Sequence, residues 1–395
     1  MKNLARFITS HLSRRTSGRQ LIPEIDGLRS IAILSVVFFH AAANFAFYAN
    51  QGTDGTLLDT WLLRMLPTGE YGVPLFFAIS GFILAVPFAS HHLLGERKPS
   101  LKKYFIRRIT RLEPPYIFAL TIFMLKQVVE RVVIAHEAGT LPEILSHFGA
   151  SCVYLHNAIY HGPSTILVVA WSLEVEVQFY ILAPIITRVF AIKSAAARRA
   201  ILALGMVTLS WFFGVEKPIA GLTILNQGAY FLAGLFLADV YLTHLRDDAR
   251  RPHWAADLIA IITLAGVFVA KAFDFHPVLL TPWLILAGYI AVFRAGPVRR
   301  LFRATPVVIL GGMCYTIYLW HFIVIATFRH PFFKILHPEP TWYWRVAYIL
   351  IASAVAISVS AVLFALIERP TMNPRWPQDL WARVRRLLGR SPAQP

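Results

Sequence analysis

Two residues eleven positions apart, Arg29 and His40, stand at one end and in the middle of a single apolar run. Eleven residues make close to three helical turns. Both side chains therefore fall on one face, separated by roughly 16 Å at about 1.5 Å per residue. Imidazole takes and returns a proton near neutral pH, so His40 is a candidate acid–base group. The competing reading is a histidine capped by a carbonyl of another helix.

A second run carries Trp171, Ser172, Leu173, Glu174, Val175, Glu176, Val177, Gln178, Phe179 and Tyr180. Ser172, Glu176 and Tyr180 recur every fourth residue and form one helical stripe, while Glu174 and Gln178 form another. A carboxylate facing lipid is untenable, so this helix must be buried on most sides. Glu174 reads as a structural carboxylate paired with arginine, and Glu176 as a functional one. Ser80–Gly81 reads as a close-packing patch of small residues, with Ser80 also lining a polar cavity. Counted along their runs, His40, Ser80 and Glu176 reach a similar depth. Arg107, Arg108 and Arg111 follow at i, i+1 and i+4, with Arg107 and Arg111 on one face. Arginine is the preferred bidentate partner of phosphate. The alternatives are topology charges or contacts with anionic lipid headgroups, which is how Lys98, Lys102 and Lys103 read. His321, beside Tyr315, Tyr318 and Trp320, serves either an acceptor or packing.

The elements that hold these groups are helices in a membrane. Of 395 residues 57% are apolar and 15% charged, with a mean hydropathy of +0.58; soluble domains carry about 25% charged residues. A spanning helix needs about 20 mostly apolar residues. Ten runs qualify: 29–48, 73–90, 114–134, 165–190, 200–215, 225–243, 254–272, 278–293, 306–328 and 346–367. None alternates strictly, which argues against a β-barrel. The expected fold is an all-α, polytopic bundle of about ten transmembrane helices.

The net charge of +17 would suggest nucleic acid on a soluble protein. Here its placement gives another answer. With both termini cytoplasmic, 30 of the 38 Lys and Arg residues fall on 1–29, 91–111, 188–199, 244–253, 294–303 and 369–395. The other eight are Arg64, Lys126, Arg131, Lys217, Lys271, Arg329, Lys334 and Arg345. That is the positive-inside bias, and it leaves no role for nucleic acid. Residues 1–22 and 371–395 read as basic cytoplasmic tails around a membrane domain, 23–370. Trp376, Leu380 and Leu387 would let the second tail lie on the membrane. The first run starts late and lacks a clear cleavage pattern, unlike a removable signal peptide. Cys152 and Cys314 fall too far apart along this topology to pair, and nothing resembles a thiolate metal site.

The string Glu24-Ile-Asp26-Gly27-Leu28-Arg29-Ser30 leading to His40 resembles the first-helix motif of acyltransferase family 3, the bacterial integral-membrane acyltransferases. So do Leu75-Phe-Phe-Ala-Ile-Ser80-Gly81-Phe82, Arg107-Arg108-Ile-Thr-Arg111-Leu-Glu-Pro114, Trp171-Ser172-Leu173 with Glu176 and Phe179-Tyr180, Tyr315-Thr-Ile-Tyr318-Leu319-Trp320-His321, and Glu368-Arg369-Pro370. They run in family order over roughly 23–370. Cys314 departs from the serine common there. The resemblance implies an O-acyltransferase of the bacterial inner membrane that moves an acetyl or succinyl-like group from cytoplasmic acyl-CoA. Its acceptor would be a hydroxyl of a surface glycan, a lipid-linked sugar or a secreted small molecule. Arg29, His40, Arg107 and Arg108 carry over as functional positions, with Arg111 and Glu176 beside them.

Both readings together assign His40 and Glu176 to catalysis. Arg29, Arg107, Arg108 and Arg111 would hold acyl-CoA, and Ser80, Trp171, Ser172, Tyr180 and His321 would line the acceptor cavity. His40 would act as general base or as covalent acyl carrier. No metal and no resident cofactor are expected; acyl-CoA is a co-substrate, lipids are neighbours, and oligomeric state carries no signal. The rival from another class is a proton-coupled secondary transporter of a small polar solute, since intramembrane His, Glu and Arg also suit a proton relay.

Overall fold

The computed structural model describes residues 11–14, 21–48, 55–216, 223–246, 252–373 and 376–387. All regular structure among them is helical. The principal helices are α1 (Pro23–Tyr48), α2 (Gly72–Leu94), α3 (Leu101–Gln127), α4 (Trp171–Ile186), α5 (Ala195–Leu209), α6 (Ile224–Val240), α7 (Trp254–Ala272), α8 (Pro277–Arg294), α9 (Thr305–Gly312), α10 (Cys314–Leu336) and α11 (Trp342–Leu363). Eight helical runs are long and apolar enough to cross a membrane, or nine if α9 and α10, bent by 70° at Met313, make one span. The remaining expected run, 114–134, lies on α3 and the π-helical turn Val128–Ile134. Lys126, Glu130 and Arg131 punctuate its far end, and it is not among them. The number legible by length and composition is therefore eight or nine rather than ten.

α1 is the hub, packing against α2, α9, α10 and α11. Its apolar residues Leu28, Ala32, Ile33, Val36, Val37, Ala41 and Phe45 are fully buried. The most extensive helix pair is α2 with α6. A Cβ at Gly81 would stand 2.3 Å from the Phe231 carbonyl oxygen, and one at Gly234 would stand 2.1 Å from that of Ala78. Only a missing side chain allows the two backbones this close. Thus Gly81 is the packing residue of the small-residue patch.

Several charges taken out of solvent are paired. Arg345 donates from Nε to Asp59 at 2.8 Å, with both side chains essentially inaccessible. Asp239 accepts from Arg198 at 2.6 Å and Arg199 at 2.9 Å. Glu24 accepts from Arg299 at 2.7 Å. Glu174 has a structural partner, but not the expected arginine. Its Oε2 accepts from the Asn157 backbone N–H at 2.8 Å.

Helices Leu141–Cys152 and His156–Tyr160 build most of the segment between α3 and α4. There His156 Nδ1 donates to the Gly162 carbonyl at 3.0 Å, leaving Nε2 to accept from His147 Nδ1 at 2.8 Å. Burial pushes the pKa of His156 below the ordinary histidine range. Cys152 and Cys314 are both free thiols.

Of the first tail, residues 1–10 and 15–20 lie outside the described residues, as do 374–375 and 388–395 of the second and Lys217 of the outer cations. The second tail contains helix Trp376–Leu387, whose Trp376 indole donates to the Thr110 carbonyl at 3.1 Å. The side chains of Leu380 and Leu387 are outside the described residues.

Candidate active site

α1 carries Arg29 and His40 on one side, as their spacing requires. Arg29 is fixed one turn from Asp26, to which its Nη1 donates at 2.5 Å. The same Asp26 oxygen accepts from Arg14 at 3.0 Å. α9 makes this corner possible, because Gly311 lets the Asp26 carbonyl approach where a Cβ would lie 1.7 Å from it. Arg111 and burial, followed by Arg29, push the Arg14 guanidinium down to about 9. The corner is thus rich in positive charge, a field that favours an anion.

Arg29 lines a cavity of ≈ 100 Å³ together with Ser80, Arg108, Arg111, Ser172, Glu176, Tyr180, Cys314, Tyr315 and Tyr318, floored by Val73, Phe76 and Phe77. α2 and α4 meet across it, where Ser80 Oγ donates to Glu176 Oε1 at 2.5 Å. Ser172 Oγ and Tyr318 Oη lie 2.7 Å apart. Arg108 sits over the rings of Tyr180 and Tyr104 at 5.4 and 5.9 Å, and Tyr104 Oη donates to the Tyr180 carbonyl at 3.1 Å. Arg111 Nε is buried and has no hydrogen-bond partner among the described residues. Arg108 and Arg111 line the cavity; Arg107 is exposed and is not among its lining residues.

Two expected neighbours stand one layer out. Trp171 packs edge-on against Phe77, their rings 6.3 Å apart. His40 is half-buried and does not line the cavity. It touches Phe39 and Phe322, with ring centroids at 4.7 and 5.4 Å. It meets His321 across 281 residues of sequence, ring to ring at 4.9 Å. His321 is fully buried and lies 5.9 Å from the cavity residue Tyr318. Glu176 is not among the contacts of His40.

The carbonyls around the two imidazoles settle their tautomers. His321 Nδ1 lies 3.0 Å from the Ile317 carbonyl oxygen and 2.9 Å from that of Tyr318. Carbonyls only accept, so Nδ1 carries the hydrogen and Nε2 the lone pair. His40 Nδ1 lies 2.9 Å from the Val36 carbonyl oxygen and 3.1 Å from His321 Nε2. Both are acceptors, so Nδ1 of His40 donates to them. The basic lone pair of neutral His40 is therefore on Nε2.

Sequence reasoning did not assign site roles to Asp26, Tyr318 or Glu368. Glu368 is buried and accepts from Thr316 N at 3.1 Å and Thr316 Oγ1 at 2.5 Å. An acidic residue three positions before Arg29 was the available signal for Asp26. Tyr318 and Glu368 had only motif membership. Among the described residues no cluster of three or more His, Cys, Asp and Glu side chains could hold a metal ion.

Residues 22–365 match the family model described as "Acyltransferase domain", acyltransferase family 3. The chain is 25% identical over 387 residues to the peptidoglycan O-acetyltransferase OatA of Listeria monocytogenes, covering 89% of this chain and 56% of that protein. It is 24% identical over 333 residues to the O-acetyltransferase OatA of Staphylococcus aureus, covering 77% and 51%. It is also 24% identical over 336 residues to the putative acetyltransferase ORF330 of Acidianus two-tailed virus, covering 80% and 88%. The chain thus spans about half the length of the OatA relatives. No solved structure matches it.

Proposed function

Because the chain belongs to acyltransferase family 3, we propose that it is a membrane-bound O-acyltransferase using cytoplasmic acyl-CoA, with an acetyl or succinyl-like group as cargo. The acceptor is a hydroxyl of a glycan, a lipid-linked sugar or a secreted small molecule. A glycan acceptor is supported by the name of the Listeria relative, a peptidoglycan O-acetyltransferase. In this reading α3 supplies a further span, both termini are cytoplasmic and the membrane is the bacterial inner membrane. The distribution of Lys and Arg, 30 against 8, supports that orientation.

The observation that carries the reading is the unprotonated Nε2 left on His40 by its hydrogen bonds to Val36 and His321. Arg29, Arg108 and Arg111 give acyl-CoA phosphates a place to dock, since charge-assisted hydrogen bonds from arginine suit them. Arg107, at the surface, offers a first contact. The acceptor hydroxyl gives its proton to His40 Nε2 as its oxygen attacks the thioester carbonyl. The carbon–sulfur bond breaks, and the departing thiolate takes the proton back from the imidazolium. The ester and the free CoA thiol are the products. Ser80, Glu176, Ser172 and Tyr180 offer hydroxyls and a carboxylate to orient the acceptor, with Trp171 and His321 in the supporting layer.

General base catalysis contributes about 10²–10⁴-fold. The variant His40→Ala, purified in detergent, should lose that much acceptor-dependent release of CoA thiol from acetyl-CoA while still inserting and purifying like the parent. Full transfer by this variant would exclude the base.

A further inference from the structure

Among the cations outside the expected inner segments, Lys126, Arg131, Lys271 and Arg345 each meet a carboxylate. Arg64, Lys334 and Arg329 do not meet one among the described residues, and of these three Arg329 alone has a buried side-chain nitrogen without a hydrogen-bond partner there. Its guanidinium lies over two neighbouring aromatic rings, 5.4 Å from the centroid of Phe47 and 5.1 Å from that of Tyr48. Nη1 donates to Asn44 Oδ1 at 3.4 Å, and Nε is buried without a hydrogen-bond partner among the described residues. Asn44, itself only 8% exposed, donates from Nδ2 to the His40 carbonyl at 3.2 Å.

Position adds to this. Arg329 lies eight residues beyond His321 on α10, about 12 Å along the axis. Helical side chains lean towards the N-terminus, so Arg329 leans back along the line that ends at His40. Aromatic faces favour a guanidinium but accept few of its five N–H groups. A buried donor with no partner is costly, and a carboxylate or phosphate would satisfy it with charge-assisted bonds.

We propose that Arg329, Asn44 and Tyr48 form an anion site at the outer end of the His40 line, which takes the carboxylate or phosphate of an acidic sugar acceptor. That the ligand is an acceptor rests on the O-acyltransferase reading; the anion site itself does not.

The test measures sugar binding to the full chain in detergent, without acyl-CoA, by isothermal titration. Three probes share one ring: N-acetylglucosamine, N-acetylmuramic acid (the same ring with a carboxylate) and N-acetylglucosamine 1-phosphate. At least one acidic probe should bind about tenfold or more tightly than the neutral sugar, and the winner identifies carboxylate or phosphate. Arg329→Gln should level the three, and Arg329→Lys, which keeps the charge, should retain most of the preference. Equal affinities, no saturable binding of any probe, or a preference that survives in Arg329→Gln overturns the site. The last three outcomes fit an arginine that only anchors the helix at the membrane interface. Acidic-sugar binding in a chain that never transfers acyl groups would sink the enzymatic reading alone. Equal acyl transfer to neutral and acidic sugars would sink the anion site alone.

Discussion

One imidazole contact separates the two histidines from ordinary buried pairs. His321 offers a lone pair to His40 Nδ1 at 3.1 Å, and the Val36 carbonyl offers another at 2.9 Å. Removing the first should loosen the ring and mix its tautomers. His321→Ala is expected to lower kcat about 10²-fold, within the range a general base supplies, with little change in the KM for acyl-CoA. His321→Gln, whose amide oxygen can accept the same bond, should recover part of the loss. Wild-type kcat in His321→Ala would show that the ring needs no such partner. The arginines divide in a similar way. Arg111→Ala and Arg108→Ala should each raise the KM for acyl-CoA by roughly 10-fold or more, since a hydrogen bond to a charged group contributes about 1.5–3 kcal/mol. The exposed Arg107→Ala should change it least. Equal effects at all three positions would mean that the cavity does not hold the donor. The sequence led to Arg108 and Arg111, but an i, i+4 rule alone pairs Arg107 with Arg111. The facing direction of α3 decides otherwise, because Tyr104 is buried on that side.

Helix contacts set how these side chains are aimed. α2 and α6 cross with Gly81 against Phe231 and Gly234 against Ala78. A methyl at either glycine meets backbone atoms, which cannot turn aside as a flexible side chain can. Gly81→Ala or Gly234→Ala should therefore force the helices apart and pull Ser80 from Glu176. The expected readouts are a lower melting temperature in detergent and reduced transfer; unchanged values for both would mean that the crossing yields cheaply. In the segment between α3 and α4, burial lowers the pKa of His156 and favours its neutral form, an effect that its bond to Gly162 only partly offsets. Its folded pKa is lowered, so the unfolded chain binds the extra proton more readily. Stability from this source is present above the unfolded histidine pKa, about 6.5, and is lost as pH falls below it. Melting curves at pH 7.5 and 5.5 should differ less for His156→Gln than for the parent. An equal difference would assign the pH effect elsewhere. The 3.6-residue period located these helices well. It could not reveal the 70° bend between α9 and α10, because Gly311–Gly312 is equally compatible with close packing.

Across the whole molecule most basic residues collect on one set of loops, and several of those inside the fold meet a carboxylate, with Arg111 and Arg329 as exceptions among the described residues. Asp59 and Arg345 are 286 residues apart and fully buried. Removing one partner of such a pair typically costs about 3–5 kcal/mol, because it strands the other charge. Arg345→Met should therefore sharply reduce the amount of folded protein recovered from membranes, whereas replacing both partners by apolar residues should restore much of it. Equal recovery of the single and double variants would deny the stranded-charge account. This pair was invisible along the chain. Asp59 lies in a short helix before α2, and Arg345 among the residues that open α11.

The amino-acid sequence determined what depends on composition and on local order. Its apolar runs demand helices in lipid, and its cations favour one orientation. Its motifs resemble acyltransferase family 3, and its intramembrane polar residues must turn inward because exposing them to hydrocarbon is too costly. Only the tertiary structure decided which of those inward groups meet. It placed Ser80 against Glu176, His321 against His40, and Arg14 beside Arg29 on one carboxylate. The reason is rotational. A helix period fixes the angle between residues of the same helix, but the angle between helices is set where backbones touch, at Gly81, Gly234 and Gly311. No local pattern encodes those contacts, so the partner of each catalytic candidate emerges only once the helices have packed.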